Sequence, residues 1–274
     1  MVYGDFYSQL STALLSQAAD IRLNKFTALF TRLYLKLFGY PDLASWMRFR
    51  LVTGYLRLTK DDTLLDVGSG NGIYANQYAY YIGIPVLGLE GRKKRVELSR
   101  LVSQTLSLKS TFRVQNLERA LLPTKQFSKI ICIEVLEHIV HDRQLLSEMA
   151  AALKTRGTLV ITVPSTHKEE TKMFESFELF AHVREGYTHS FFKREAGRLG
   201  LHIVSVRPYF FFFTKYTVRI QQWIFKSLPP AANIITYPFL QQISRLDEVF
   251  PLPSTSRGLC IVLTKYRSAK EGGV

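Results

Sequence analysis

The stretch Leu64-Leu65-Asp66-Val67-Gly68-Ser69-Gly70-Asn71-Gly72 begins as an apolar strand and ends in three glycines at alternate positions. Glycine serves where a backbone must adopt positive φ or admit a ligand closely, so the run reads as a strand-to-helix turn of nucleotide-binding type. A dinucleotide fingerprint would put glycine or alanine three positions after Gly70, where Ile73 stands. It would also not favour Asp66, two residues before the loop, facing a pyrophosphate. A carboxylate there suits a cationic ligand.

Outward from this loop the chain alternates short apolar strands, TLLDVG, PVLGLE, STFRVQNL, KIICIE, TLVITVP, LHIVSVRP and LCIVLTKY, with amphipathic helices. The helices are IYANQYAYYIG, KKRVELSRLVSQTLS, DRQLLSEMAAALKTRG and SFFKREAGRLG, each with an apolar stripe. The alternation predicts an α/β fold, a Rossmann-like doubly wound sheet. Residues 1–60 read as a basic helical appendage or lid, interrupted at Gly39, Pro41 and Asp42. The α/β domain is expected over 61–268, with an aromatic-rich insert at 209–256 before the last strand and a tail at 269–274. Such a long connection is usually functional.

S-Adenosylmethionine meets the demand of the loop, since it carries a sulfonium and an ammonium but no phosphate, and its carboxylate can use N–H groups at a helix start. Glu90 ends the second strand, where a carboxylate can accept hydrogen bonds from both ribose hydroxyls; Asn116, ending the third, could bond an adenine edge. Plainer readings are a tight turn for the glycines, a solvated strand end for Glu90 and a turn former for Asn116. The ordered set at three successive strand ends favours the nucleoside.

Together, LLDVGSGNG, VLGLEGRKKRVELSR, IEVLEHIVHDRQLLSEMAAALKTRGTLVITVPS and HVREGYTHSFFKREAGRLGLHIVSV resemble successive motifs of class I S-adenosylmethionine-dependent methyltransferases, over roughly residues 60 to 206. The chain is most similar to the broad quinone-biosynthesis-like small-molecule group. The resemblance implies a seven-stranded sheet with an antiparallel last strand, and cofactor roles for Asp66, Gly68, Ser69, Gly70, Glu90 and Asn116; Gly72 closes the same loop, and Glu134 is expected to face the cofactor pocket. Ser69 stands where many relatives have Cys, Asn116 where many have Asp, and Ser128 where an Asp commonly begins the fourth strand.

Methyl transfer is an in-line displacement, so alignment supplies most of the acceleration and a base is needed only when the nucleophile must lose a proton. His138, just after the fourth strand, is the candidate base, with Glu137 to orient it; the alternative is that His138 caps the junction while Glu137 pairs with a cation. His182, Arg184 and Tyr187 lie in a loop expected on the substrate side, with capping of the next helix by Thr188 or Ser190 equally open. Glu137, His138 and His141 have no HExxH context, so no metal is expected.

Composition bounds the partners. The 274 residues carry 36 Lys+Arg against 22 Asp+Glu, a formal +14, which favours an anionic partner, and 47% apolar content excludes a disordered chain. Cys132 and Cys260 both sit in apolar strand-like runs, which argues against a disulfide framework. The N-terminal MVYGDFYSQL has no basic leader, and Ser227 to Ser244 is broken by Pro229, Pro230 and Pro238, so neither a secretory signal nor a spanning helix is expected. The reading is a cytoplasmic methyltransferase acting on a small hydrophobic or lipid-linked acceptor, with peripheral contact to an anionic membrane. The aromatic insert could equally be a cap packing on the N-terminal helices. RNA methylation is the alternative, weakened by the absence of a recognisable RNA-binding module, and a non-catalytic cofactor-binding subunit is a third reading.

Overall fold

The computed structural model describes residues 4–17, 25–166, 183–252 and 256–266. The 269–274 tail and His182 lie outside the described residues.

Seven strands form one sheet in the order β3-β2-β1-β4-β5-β7-β6. They are β1 Leu64–Val67, β2 Val86–Glu90, β3 Ser110–Val114, β4 Phe127–Ile133, β5 Leu153–Pro164, β6 Leu201–Tyr209 and β7 Gly258–Lys265. β1 pairs in parallel with β2 and β4, whereas β7 runs antiparallel between β5 and β6. The chain order reverses between β1 and β4, so the crevice beyond their carboxyl ends is where an open sheet of this kind takes a ligand.

Both sheet faces are covered, which is why the central strands are continuous apolar runs. On one face α3 (Leu43–Leu56), α4 (Ile73–Ile82) and α5 (Lys93–Thr105) enclose a core with Phe49, Val52, Tyr78 and Ile131. On the other, α6 (Asp142–Ala152) and α7 (His189–Leu199) pack around Leu146, Met149, Phe192 and Leu159. Two strand bounds differ from the sequence pattern. Helix α6 stops at Ala152 instead of running on through LKTRG, because Leu153 is fully buried and pairs beside Phe127, and Arg156 takes φ 63° to carry the strand past this shifted register. Strand β3 stops at Val114, where Asn116 starts a one-turn 3₁₀ helix at Leu117–Arg119.

The N-terminal region contains α1 (Gly4–Gln17) and α2 (Lys25–Phe38) before α3, whose start is capped by Asp42 accepting from Ser45 N–H at 3.1 Å. The aromatic insert folds as α8 (Phe212–Ser227), α9 (Pro230–Ser244) and the single turn α10 (Leu246–Val249). Its inner side packs on the N-terminal helices, with Ile224, Tyr237 and Leu240 against Leu43 and Trp46. This is the capping arrangement that the sequence left open. Gln221 is the polar staple: its Oε1 accepts from Leu43 N–H at 2.9 Å, and its Nε2 donates to Pro41 O and Asn233 Oδ1, both at 3.0 Å.

Gln221→Leu removes these partners and strands the buried Leu43 N–H. We expect a loss of about 1–3 kcal/mol in urea denaturation with the sheet intact, because an unsatisfied buried amide costs its desolvation.

Candidate active site

At the end of β1 the backbone turns through Gly68 (φ 78°), Gly70 (φ 55°) and Gly72 (φ 69°), all in the left-handed region. The three glycines do different jobs. A Cβ at Gly68 would stand 2.3 Å from Val135 Cγ2, and one at Gly72 would stand 2.7 Å from Ser99 on α5, so both permit close packing of the loop. At Gly70 a Cβ would meet only an Arg95 nitrogen, at 3.9 Å, which leaves this glycine bordering open space. Gly72, also expected in the cofactor set, is the left-handed residue that starts α4, and a Cβ on it would meet Ser99 and Phe112.

Glu90 at the end of β2 closes the loop from below. Its Oε2 accepts from Gly70 N–H at 3.0 Å and its Oε1 from Arg92 N–H at 2.9 Å. Each carboxylate oxygen has a second lone pair, so this arrangement fixes Glu90 and leaves acceptor capacity for hydroxyl donors. Asn116 is exposed, and its Oδ1 accepts from Glu118 N–H at 3.0 Å, the turn-forming role. Its amide nitrogen is the donor that remains for a ligand.

Several buried polar atoms around these strand ends lack a partner: Asp66 Oδ2, Ser69 Oγ, Glu137 Oε2 and Arg48 Nε. Asp66 is 1% exposed, and burial, reinforced by nearby Glu90, pushes its carboxyl up to about 7, although Ala75 N–H donates to it. Glu137 lies in the 3₁₀ turn Leu136–His138 and is also 1% exposed; burial, with neighbouring Glu134, raises it far above the ordinary carboxylate range. The Cys132 thiol is pushed well up by burial and by the charges of Glu137, Asp66 and Glu134, in that order.

Glu134, just past β4, adopts φ 53°. Its Oε2 accepts from Arg48 on α3 at 2.8 Å and its Oε1 from the Tyr209 hydroxyl at the end of β6 at 2.6 Å. Arg48 also lies over the Phe210 ring at 4.9 Å. Neither Arg48 nor Tyr209 carries a sequence signal, because each is an ordinary member of a basic helix or an aromatic run.

Of the two residues expected to serve proton transfer, Glu137 is buried and His138 is exposed. The substrate-side expectation also changes. Tyr187 is 2% exposed, and its hydroxyl donates toward Leu136 O at 2.8 Å and Asp142 Oδ2 at 2.9 Å. Arg184 pairs with Asp142 at 3.0 Å, and Thr188 caps α7 by accepting from Phe191 N–H. Tyr187 is thus a core residue, and Arg184 holds the loop to α6. No cluster of three or more metal-ligating side chains occurs among the described residues.

The profile of the family described as "Methyltransferase domain" matches residues 37–206. The chain belongs to this methyltransferase family. Its fold is that of the class I S-adenosylmethionine-dependent enzymes. A ubiquinone biosynthesis O-methyltransferase of Paramagnetospirillum magneticum is 33% identical over 98 residues, 36% of this chain and 39% of that one. A second, from Rickettsia typhi, is 25% identical over 136 residues, 48% of this chain and 54% of that one. The chain therefore spans about half or less of the curated relatives it matches. Among solved structures, Haemonchus contortus phosphoethanolamine N-methyltransferase 2 with S-adenosyl-L-methionine superposes with TM-score 0.61 at 17% identity, covering 92% of this chain and 60% of that one.

The cofactor of this class is S-adenosylmethionine, and the residues at the strand ends fit it. Asp66 and Ser69 present orphaned acceptors to a ligand with two positive centres, and Gly70 leaves the loop open where it would enter. A proton on Asp66 competes with the cationic ligand, so binding should strengthen as pH rises through about 7. We expect calorimetric affinity for S-adenosylmethionine to increase by about tenfold from pH 5.5 to 7.5, and the rise to flatten in Asp66→Asn.

Proposed function

We propose that this protein transfers a methyl group from S-adenosylmethionine to a small hydrophobic, lipid-linked acceptor, met at the cytoplasmic face of a membrane. The observation that carries the reading is a cavity of about 270 Å³ lined by Met47, Leu51, Phe210, Phe211 and Tyr209 among others, between α3, the end of β6 and the insert. Its lining is mainly apolar, as befits a greasy acceptor. Tyr209 links the cavity to the strand ends, since its hydroxyl donates to Glu134. The curated relatives named as ubiquinone biosynthesis O-methyltransferases support an acceptor of this kind.

When bound, S-adenosylmethionine supplies an electrophilic methyl group on a sulfonium. The chain supplies alignment: Glu90 holds the glycine loop, Asp66 offers a carboxylate to a cation, and Arg48 with Tyr209 fixes Glu134 just past β4. For a hydroxyl acceptor the O–H proton must leave as the O–CH₃ bond forms. Glu137 is the better placed acceptor of that proton, because burial holds its proton affinity near the working range and Oε2 has no other partner. His138 is the exposed alternative.

The test is to incubate the protein with methyl-labelled S-adenosylmethionine and, separately, a lipid extract, an aqueous metabolite extract and total RNA. We expect label in the lipid fraction, lost in Gly70→Arg and lowered by about 10²-fold in Glu137→Gln, with a smaller effect of His138→Ala. Label in RNA, or in water-soluble product alone, contradicts the acceptor reading.

A further inference from the structure

The outer sides of α2, α8 and α9 present large apolar side chains to solvent at helical spacing. On α2 these are Leu29 (64% exposed), Phe30, Leu33 and Leu37, one stripe of the helix. On α8, Tyr216, Ile220 and Trp223 (58% exposed) lie opposite the inward-facing Thr214, Thr217, Gln221 and Ile224. On α9, Ile235, Phe239 and Ile243 lie opposite the buried Asn233, Tyr237 and Leu240. The Tyr34 hydroxyl donates to Ile234 O at 2.7 Å, so α2 and α9 meet. Scattered apolar residues need no explanation, but neighbouring helices that each expose an apolar stripe mark a contact surface.

The charges identify the contact. Helix α2 carries Lys25, Arg32 and Lys36, α8 carries Lys215, Arg219 and Lys226, and neither has an acidic residue; α9 has no charged residue at all. Arg32, Lys36, Arg219 and Lys226 are exposed beside the apolar stripes. A helix with an apolar face edged by cations lies in the interface of an anionic bilayer, aromatic rings at headgroup depth and cations on the phosphates. A second copy of the chain is the poorer occupant, because a two-fold contact would bring these cations together with no acid on the three helices to answer them. No helix among the described residues is long and apolar enough to cross a membrane, so the contact is peripheral.

We propose that the α2–α8–α9 face is a docking surface for an anionic phospholipid bilayer. It deepens the lipid-linked acceptor reading and rests on it for one point, the delivery of acceptor: Phe211, at the start of α8, lines the same cavity as Tyr209. The surface itself stands on the exposed residues and their charge.

The experiment is flotation of the full chain with vesicles of phosphatidylcholine alone and of phosphatidylcholine with about one-third phosphatidylglycerol, at low and high salt and without cofactor. Binding should favour the anionic vesicles and fall by about tenfold or more in high salt. Trp223 emission should shift to the blue and be quenched by brominated lipid, whereas Trp46, 9% exposed, should not respond. Leu33→Glu with Trp223→Glu should abolish flotation while leaving S-adenosylmethionine binding unchanged, since neither residue is near the strand ends. Failure to bind anionic vesicles overturns the proposal. So does concentration-dependent dimerisation of lipid-free protein that the same two substitutions abolish, because the face is then a protein interface. Flotation without S-adenosylmethionine binding would instead leave docking standing and sink the methyltransferase reading.

Discussion

The arrangement above the sheet depends on one carboxylate. Glu134 stands where β4 ends, in a left-handed conformation, with one oxygen on Arg48 and the other on Tyr209. These partners come from the N-terminal helices and from the end of β6 where the insert begins, so one side chain at the end of β4 ties to the sheet two appendages that also pack on each other around Leu43 and Gln221. Both charged side chains are mostly shielded, at 20% and 24% exposure. Removing either partner of such a pair would leave a poorly solvated charge, typically a loss of several kcal/mol.

The same geometry explains the electrostatic character of the site. Asp66 lies on β1 while Glu134 and Glu137 follow β4, and each raises the buried Cys132 thiol. Glu134 is answered by Arg48, whereas Asp66 and Glu137 each keep an oxygen without a partner. A buried acid without a partner either holds a proton or awaits a cation. The division suits the proposed reading, in which Asp66 meets a cationic cofactor and Glu137 takes the proton of a hydroxyl acceptor.

Much of this was legible in the sequence because local rules dictate it. Apolar runs of strand length, interrupted by amphipathic helices, specify the layered sheet; the glycines at 68 and 70 both take positive φ, and at 68 the close approach of Val135 also excludes a side chain. Gly72 was harder to place, since packing against Ser99 and contact with a ligand leave the same letter. Tyr187 looked accessible in a polar loop, yet Asp142 and Leu136 O offered its hydroxyl acceptors within the core. Arg48 and Tyr209 were illegible for a different reason. They reach Glu134 from 86 and 75 residues away, and no local pattern encodes a meeting at that distance.

The claim that the ends of β1, β2 and β4 hold the cofactor beneath α3 is tested most directly by amide hydrogen exchange with and without S-adenosylhomocysteine. The account predicts slowed exchange over residues 66–72, 88–92 and 134–138 and in α3 around Arg48, with the outer turns of α8 and α9 unchanged. Protection absent from the 66–72 loop, or confined to the insert, would contradict it.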